Sequence, residues 1–201
     1  MNWRKIRIAF SKWMGKVPKI FVAHVKPHWP RYVLSTVTAT FTFHAAWVLT
    51  GISSLIGQSE GVMFVDGFYG DNPNEVYMFL EQTLAGGTSN AIFVQQFSNT
   101  IRFTVNNTST QQAQIISSSY NIGQRIKIAA AYKSNDFVMY INGVQIGTDT
   151  SGSVPTCTHL QIGTYPTDPT NPIFIANKGV NQAALFPTRL TNAELASITS
   201  L

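Results

Sequence analysis

The residues able to do acid–base or nucleophilic chemistry are few in this 201-residue chain, and their spacing works against them. Hydrolysis of a glycosidic bond uses two carboxylates about 5 to 9.5 Å apart. The best same-face pair is Glu75 and Glu81, with Tyr77 and Phe79 between them on one alternating segment. Six residues of extended strand span about 20 Å, too far for both to reach one bond. Asp66 stands alone on its segment, His159 is the one histidine beyond position 44, and His24, His28 and His44 fall in differing local contexts. No Gly-x-Ser-x-Gly elbow and no metal-spaced His/Cys set occurs. The single cysteine, Cys157, excludes an internal disulfide framework and reads as a small strand residue. Asp149 and Asp168 could offer calcium ligands, but no run of alternating oxygen donors marks a site. Neither an enzyme nor a cofactor-dependent protein is expected.

The elements that must carry these residues are almost all strands. Period-two alternation predicts them at 62–68, 75–82, 91–97, 100–106, 112–118, 125–133, 137–142, 158–163 and 180–186. Polar turn clusters separate them, among them Gly70-Asp71-Asn72-Pro73-Asn74 and Asn106-Asn107-Thr108-Ser109-Thr110. Asn142-Gly143 supplies two residues that tolerate positive φ, so the strand before it should fold back onto Val144 to Thr148 through a type I′ turn. Many short strands at this spacing imply a sandwich. Its inter-sheet layer is expected to hold mostly Val37, Phe41, Phe43, Phe64, Phe79, Phe93, Ile126, Ile128, Ile162 and Leu185. One helix is expected, at the C-terminus, where Thr191 and Glu194 make a capping box and Leu195 and Ile198 offer an apolar face.

Charge divides the chain in two. Residues 1–59 carry +8 with no acidic side chain, and residues 60–201 carry −3. Trp3, Ile6, Phe10, Trp13, Met14 and Val17 fall on one stripe of a helix from Trp3 to Lys19, with Arg4, Lys5, Lys12, Lys16 and Lys19 opposite. Such a basic amphipathic arm is expected to pack on a protein partner, the alternative being attachment to an anionic membrane surface. Pro18, Pro27 and Pro30 end the helical pattern, so residues 1–31 form arm and linker and 32–201 the sandwich. The uncharged run from Tyr32 to Ser59 is not read as a membrane span, because Thr36, Thr38, Thr40 and Thr42 alternate with Val37, Ala39, Phe41 and Phe43 as in a half-buried strand. No cleaved signal peptide is expected, since the basic region is too long and no compact apolar core follows it.

One stretch carries a resemblance. A strand ending Tyr132-Lys133, a turn at Ser134-Asn135-Asp136, the strand Phe137 to Ile141, Asn142-Gly143-Val144-Gln145 and the later Leu160-Gln161-Ile162-Gly163 resemble a laminin-G-like, concanavalin-A-like jelly roll. Leu55-Ile56-Gly57-Gln58-Ser59-Glu60-Gly61 and the ending from Leu185 to Leu195 are similar to the version in bacteriophage virion and tail proteins. The resemblance implies an all-β sandwich with a basic N-terminal arm and a short C-terminal helix. It further implies a non-catalytic virion component, a capsid decoration or tail protein, contacting other virion subunits and forming a homo-oligomer, without sequence-specific nucleic-acid binding. The alternatives are a tail-fibre module that binds host surface glycans and, third, a membrane-tethered lectin-like protein. Related folds stack sugars on aromatic rings, yet Trp3, Trp13, Trp29 and Trp47 all precede the domain's later loops. Tyr69, Asp71, Asn72, Tyr165, Asp168 and Asn171 are left as candidate ligand residues on Pro-containing loops, and Trp3, Arg4, Lys5, Ile6, Phe10, Trp13 and Val17 as the partner-binding face of the arm.

Overall fold

The computed structural model describes residues 21–22, 35–38, 47–83, 87–163 and 180–201, with side chains from residue 50 onward. The expected arm helix, with Trp3, Arg4, Lys5, Ile6, Phe10, Trp13 and Val17, lies outside the described residues, as do Tyr165, Asp168 and Asn171. The strands are β1 (Phe21–Val22), β2 (Ser35–Thr38), β3 (Trp47–Leu49), β4 (Glu60–Phe68), β5 (Asn74–Glu81), β6 (Ala91–Phe97), β7 (Thr100–Asn107), β8 (Thr110–Ile116), β9 (Arg125–Lys133), β10 (Phe137–Ile141), β11 (Val144–Asp149), β12 (His159–Ile162) and β13 (Val180–Phe186), followed by the helix α1 (Asn192–Thr199). They form two antiparallel sheets, one ordered β1-β2-β13-β4-β9-β10-β11 and the other β3-β12-β5-β6-β7-β8. The chain is an all-β sandwich with one short C-terminal helix.

Alternation decides which side chains meet between the sheets. Ile126, Ile128, Ala130 and Tyr132 of β9 point into one layer with Met63 and Val65 of β4, Tyr77, Met78 and Leu80 of β5, and Ile92 and Val94 of β6. Ile162 and Leu185 join that layer as expected. Phe64, Phe79 and Phe93 do not. Phe64 lies on the far face of the seven-stranded sheet, and Phe79 stacks on Phe93 on the far face of the other, ring centroids 5.1 Å apart. Both sheets bury residues on both faces, so a period of two cannot say which face is the inter-sheet one.

The helix is what covers the far face of the larger sheet. Leu190 and Leu195 are fully buried against Val62, Phe64, Ala129, Ala131, Val138 and Tyr140, with Ile198 packed alongside. Burying a leucine side chain this completely stabilises the docked helix by about 1.5–3 kcal/mol. Its start is fixed by the expected capping box: Glu194 N–H donates to Thr191 Oγ1 at 3.3 Å, and Thr191 N–H donates to Glu194 Oε2 at 2.8 Å.

The hairpin at Asn142-Gly143 is present, with φ of 52° and 82° at the two residues and Ile141 paired to Val144. Ser35–Thr38 is a strand, as the threonine alternation expects, and pairs with β13. Phe21 and Val22 pair with Thr38 and Val37, so the sheet reaches back into the segment expected to be linker. Among the described residues no helix is long and apolar enough to cross a membrane.

Candidate functional site

The two carboxylates nearest to a catalytic pairing are separated by more than distance. β5 carries a bulge between Val76 and Met78, placing Tyr77 and Met78 consecutively on the inter-sheet side. Every residue before the bulge is thereby turned to the opposite face relative to a regular strand. Glu75 sits on the inner side beside Gln96, its cross-strand partner, and Glu81 sits on the outer side with Phe79. The expected same-face pair is therefore two carboxylates on opposite faces of one sheet. Gln161 donates to the Glu81 carboxylate. Glu75 lies among tyrosines: burial first, and then its charge, raises the Tyr77 hydroxyl well above the usual tyrosine range. Asp66 is consumed by a two-pronged ion pair, accepting from Arg125 at 3.0 and 2.6 Å. Cys157 is buried, and burial, followed by the Glu81 charge, pushes its thiol up to about 12. A thiol so raised is no nucleophile at neutral pH.

The loop candidates divide likewise. Tyr69 is 2% exposed, its ring 5.9 Å from that of Tyr120, so it is a core residue and not a stacking platform. The start of the Pro-containing loop is tied to the sheet by Gln96, which accepts from Gly70 N–H and donates to the Gly70 carbonyl, each at 3.1 Å. Asn72 accepts from Asn74 N–H at 3.0 Å through its side chain, and its carbonyl accepts from Gln96 at 2.8 Å, which makes it a turn residue. Asp71 is exposed beside it. Among the described residues no group of three His, Cys, Asp or Glu side chains is placed to hold a metal ion.

A different arrangement stands out on the outer face of the smaller sheet. Register aligns Gln95 of β6, Arg102 of β7 and Ile116 of β8 in one cross-strand row. The next rows place Thr104 beside Gln114 and Phe97 beside Thr100. Arg102 extends over the Phe97 ring, its guanidinium carbon 4.3 Å from the centroid. Its Nε donates to Thr100 Oγ1 at 3.4 Å, and no carboxylate pairs with it among the described residues. Phe97 and Ile116 flank it at 37% and 46% exposure. A half-buried cation with two side-chain amides, two hydroxyls and exposed apolar edges around it can accept an anionic, polyhydroxylated ligand. Sequence reasoning passed it over because only Trp and Tyr were weighed as stacking residues and because Arg102, Gln95 and Gln114 meet only through the register of three strands. The available signal was one arginine at an outward position of an otherwise uncharged strand.

No family model matches the sequence, and no curated protein matches it. Solved structures do match in shape. The CBM40 domain of the Ruminococcus gnavus IT-sialidase bound to α2,3-sialyllactose superposes with a TM-score of 0.62 at 10% identity, over 75% of this chain and 88% of that one. The NanB sialidase of Streptococcus pneumoniae matches at 0.59 and 14% identity, over 76% of this chain and 26% of that one. The binding domain of a botulinum neurotoxin of serotype D/C matches at 0.54 and 13%, over 77% of this chain and 40% of that one. The fold these structures share with the chain is a two-sheet antiparallel β-sandwich.

Proposed function

We propose that the chain is a non-catalytic glycan-binding module whose outer six-stranded face, centred on Arg102, docks an acidic sugar. The observation that carries this reading is a guanidinium with no carboxylate partner among the described residues, held over an aromatic ring and bordered by Gln95, Thr100, Thr104 and Gln114. A planar fork of donors suits a carboxylate in two-point contact. Amides and hydroxyls suit a sugar's hydroxyls, and Phe97 and Ile116 suit its apolar ring faces or an acyl substituent. The likeness to a carbohydrate-binding domain that was solved with sialyllactose supports the ligand class. Separation of Glu75 and Glu81 onto opposite faces supports binding without hydrolysis.

The sequence resemblance to phage virion and tail proteins supports placing this module on a particle surface, where it would meet host glycans. Contacts with other virion subunits, or copies of the chain joined through the arm, would then multiply a weak single-site affinity. The test is a titration of the isotope-labelled full chain with α2,3- and α2,6-sialyllactose against neutral lactose. The expected result is saturable shifts of amide resonances on β6, β7 and β8 with the acidic sugars and little response to lactose. No response to any acidic glycan, or responses confined to loops away from these strands, overturns the proposal.

A further inference from the structure

We propose that Asn142 is a latent deamidation site held closed by the C-terminal helix. Asparagine followed by glycine is the pair most open to attack of the next backbone nitrogen on the side-chain amide, because no side chain shields that nitrogen. Here the Gly143 nitrogen forms a bond to Asn142 Cγ, the Cγ–Nδ2 bond breaks, and ammonia leaves. Water then opens the cyclic imide, giving aspartate or the β-linked isoaspartate. No oxidant or metal takes part.

Each atom the reaction uses is held elsewhere. Gly143 N–H donates to Thr199 Oγ1 of α1 at 3.1 Å. The Asn142 side chain accepts from Lys127 N–H at 2.8 Å and donates to the Arg125 carbonyl at 3.3 Å, which fixes the amide away from ring closure. Thr199 is fully buried and is itself anchored to the Leu195 carbonyl at 2.7 Å. Lys127 ties down the end of the chain by donating to the Ser200 carbonyl at 2.5 Å. The hairpin and the helix terminus thus lock one another, and undocking the helix frees the attacking nitrogen. An isoaspartate would lengthen the backbone within a two-residue turn whose geometry admits no extra atom, so the β10–β11 pairing would not re-form in register.

The experiment incubates the full chain at mildly alkaline pH and follows Asn142 by peptide mapping, native and in denaturant, beside Thr199→Val and Leu195→Ala. Native Asn142 is expected to convert far more slowly than in the denatured chain. Thr199→Val removes one hydrogen-bond acceptor while keeping the side-chain shape, so it is expected to accelerate conversion about fivefold. Leu195→Ala, which loosens the packing of the helix on β10 but changes neither Asn142, Gly143 nor Thr199, is expected to do so as well. Native conversion at the denatured rate overturns the proposal, and so does a slow rate unchanged in a folded Thr199→Val or Leu195→Ala protein. If Thr199→Val does not fold, Leu195→Ala and the native-to-denatured comparison still decide.

Discussion

Replacing Arg102 by Gln tests the binding reading at its centre, and the structure sets the size of the effect. The side chain contributes little to folding: its bond to Thr100, at 3.4 Å, is at the long limit of a hydrogen bond, and its position over Phe97 is worth roughly 0.5–1 kcal/mol at a partly exposed site. Urea unfolding of Arg102→Gln should therefore differ from wild type by less than about 1 kcal/mol. Binding should change more. A hydrogen bond to a charged group contributes about 1.5–3 kcal/mol, and the lower part of that range applies where solvent reaches the guanidinium. A loss of about 2 kcal/mol weakens sialyllactose binding roughly thirtyfold. Arg102→Lys keeps the charge but loses the planar fork, so it should fall between the two. Calorimetric titration across a salt series supplies the second readout, because raising ionic strength shortens the screening length from about 10 Å at 0.1 M to about 3 Å at 1 M and should erode wild-type affinity but not that of Arg102→Gln. Equal affinity of wild type and Arg102→Gln for the acidic sugar would refute the reasoning.

Three further predictions concern stability and assembly. A methyl group added at Gly70 would lie 2.1 Å from both carboxylate oxygens of the fully buried Glu75, so Gly70→Ala should cost about 1–3 kcal/mol in urea unfolding, and Gly70→Ala with Glu75→Gly should cost less than the two changes summed. Cys157 titrates at about 12 in the fold against 9.0 as its ordinary value, and Tyr132 is also raised by burial, so the unfolded chain releases its protons first. Stability should hold below about pH 9 and fall as pH rises toward 12, with the Cys157→Ala protein showing a shallower fall in the urea midpoint. Deleting residues 1–19 spares every described strand and should leave a folded sandwich that no longer joins an oligomer or particle; retained assembly, with loss of binding to anionic liposomes instead, would assign the arm to membranes.

How much of this was legible depends on how local each feature is. Every strand predicted from alternation between Val62 and Phe186 is present, because each alternates within four to nine residues and is bounded by turn residues such as Asn135 and Asn142, both at positive φ. The capping box was legible for the same reason, its partners being three residues apart. β1 and β3 were not, since two and three residues carry no period. Nor was the bulge at Tyr77, which exists only because Val76 and Met78 answer to Gln95 and Val94, adjacent residues of another strand. That one extra residue overturned the reading of Glu75 and Glu81 as sharing a face.

The candidate site failed to appear in the sequence for a deeper form of the same reason. Loops announce themselves through Gly, Pro, Asn and Asp, so a search for binding residues by local signal ends on loops, and it ended on Tyr69, Asp71 and Asn72. Tyr69 proved to be core because burial depends on what folds over it, here Tyr120 from a loop fifty residues further on. The central row of the face around Arg102 draws one residue from each of three strands, and Gln95, Arg102 and Ile116 become neighbours only when the β6–β7–β8 register is fixed. That register is set from the other side of the sheet, by Val94, Phe103 and Ile115 locking into the inter-sheet layer. The residues that place the site are thus the apolar ones facing away from it, and a one-residue slip of β7 would turn Arg102 into the core. An unpaired guanidinium cannot be buried there without a cost of several kcal/mol, so the same charge that is available to a ligand also enforces the register that presents it.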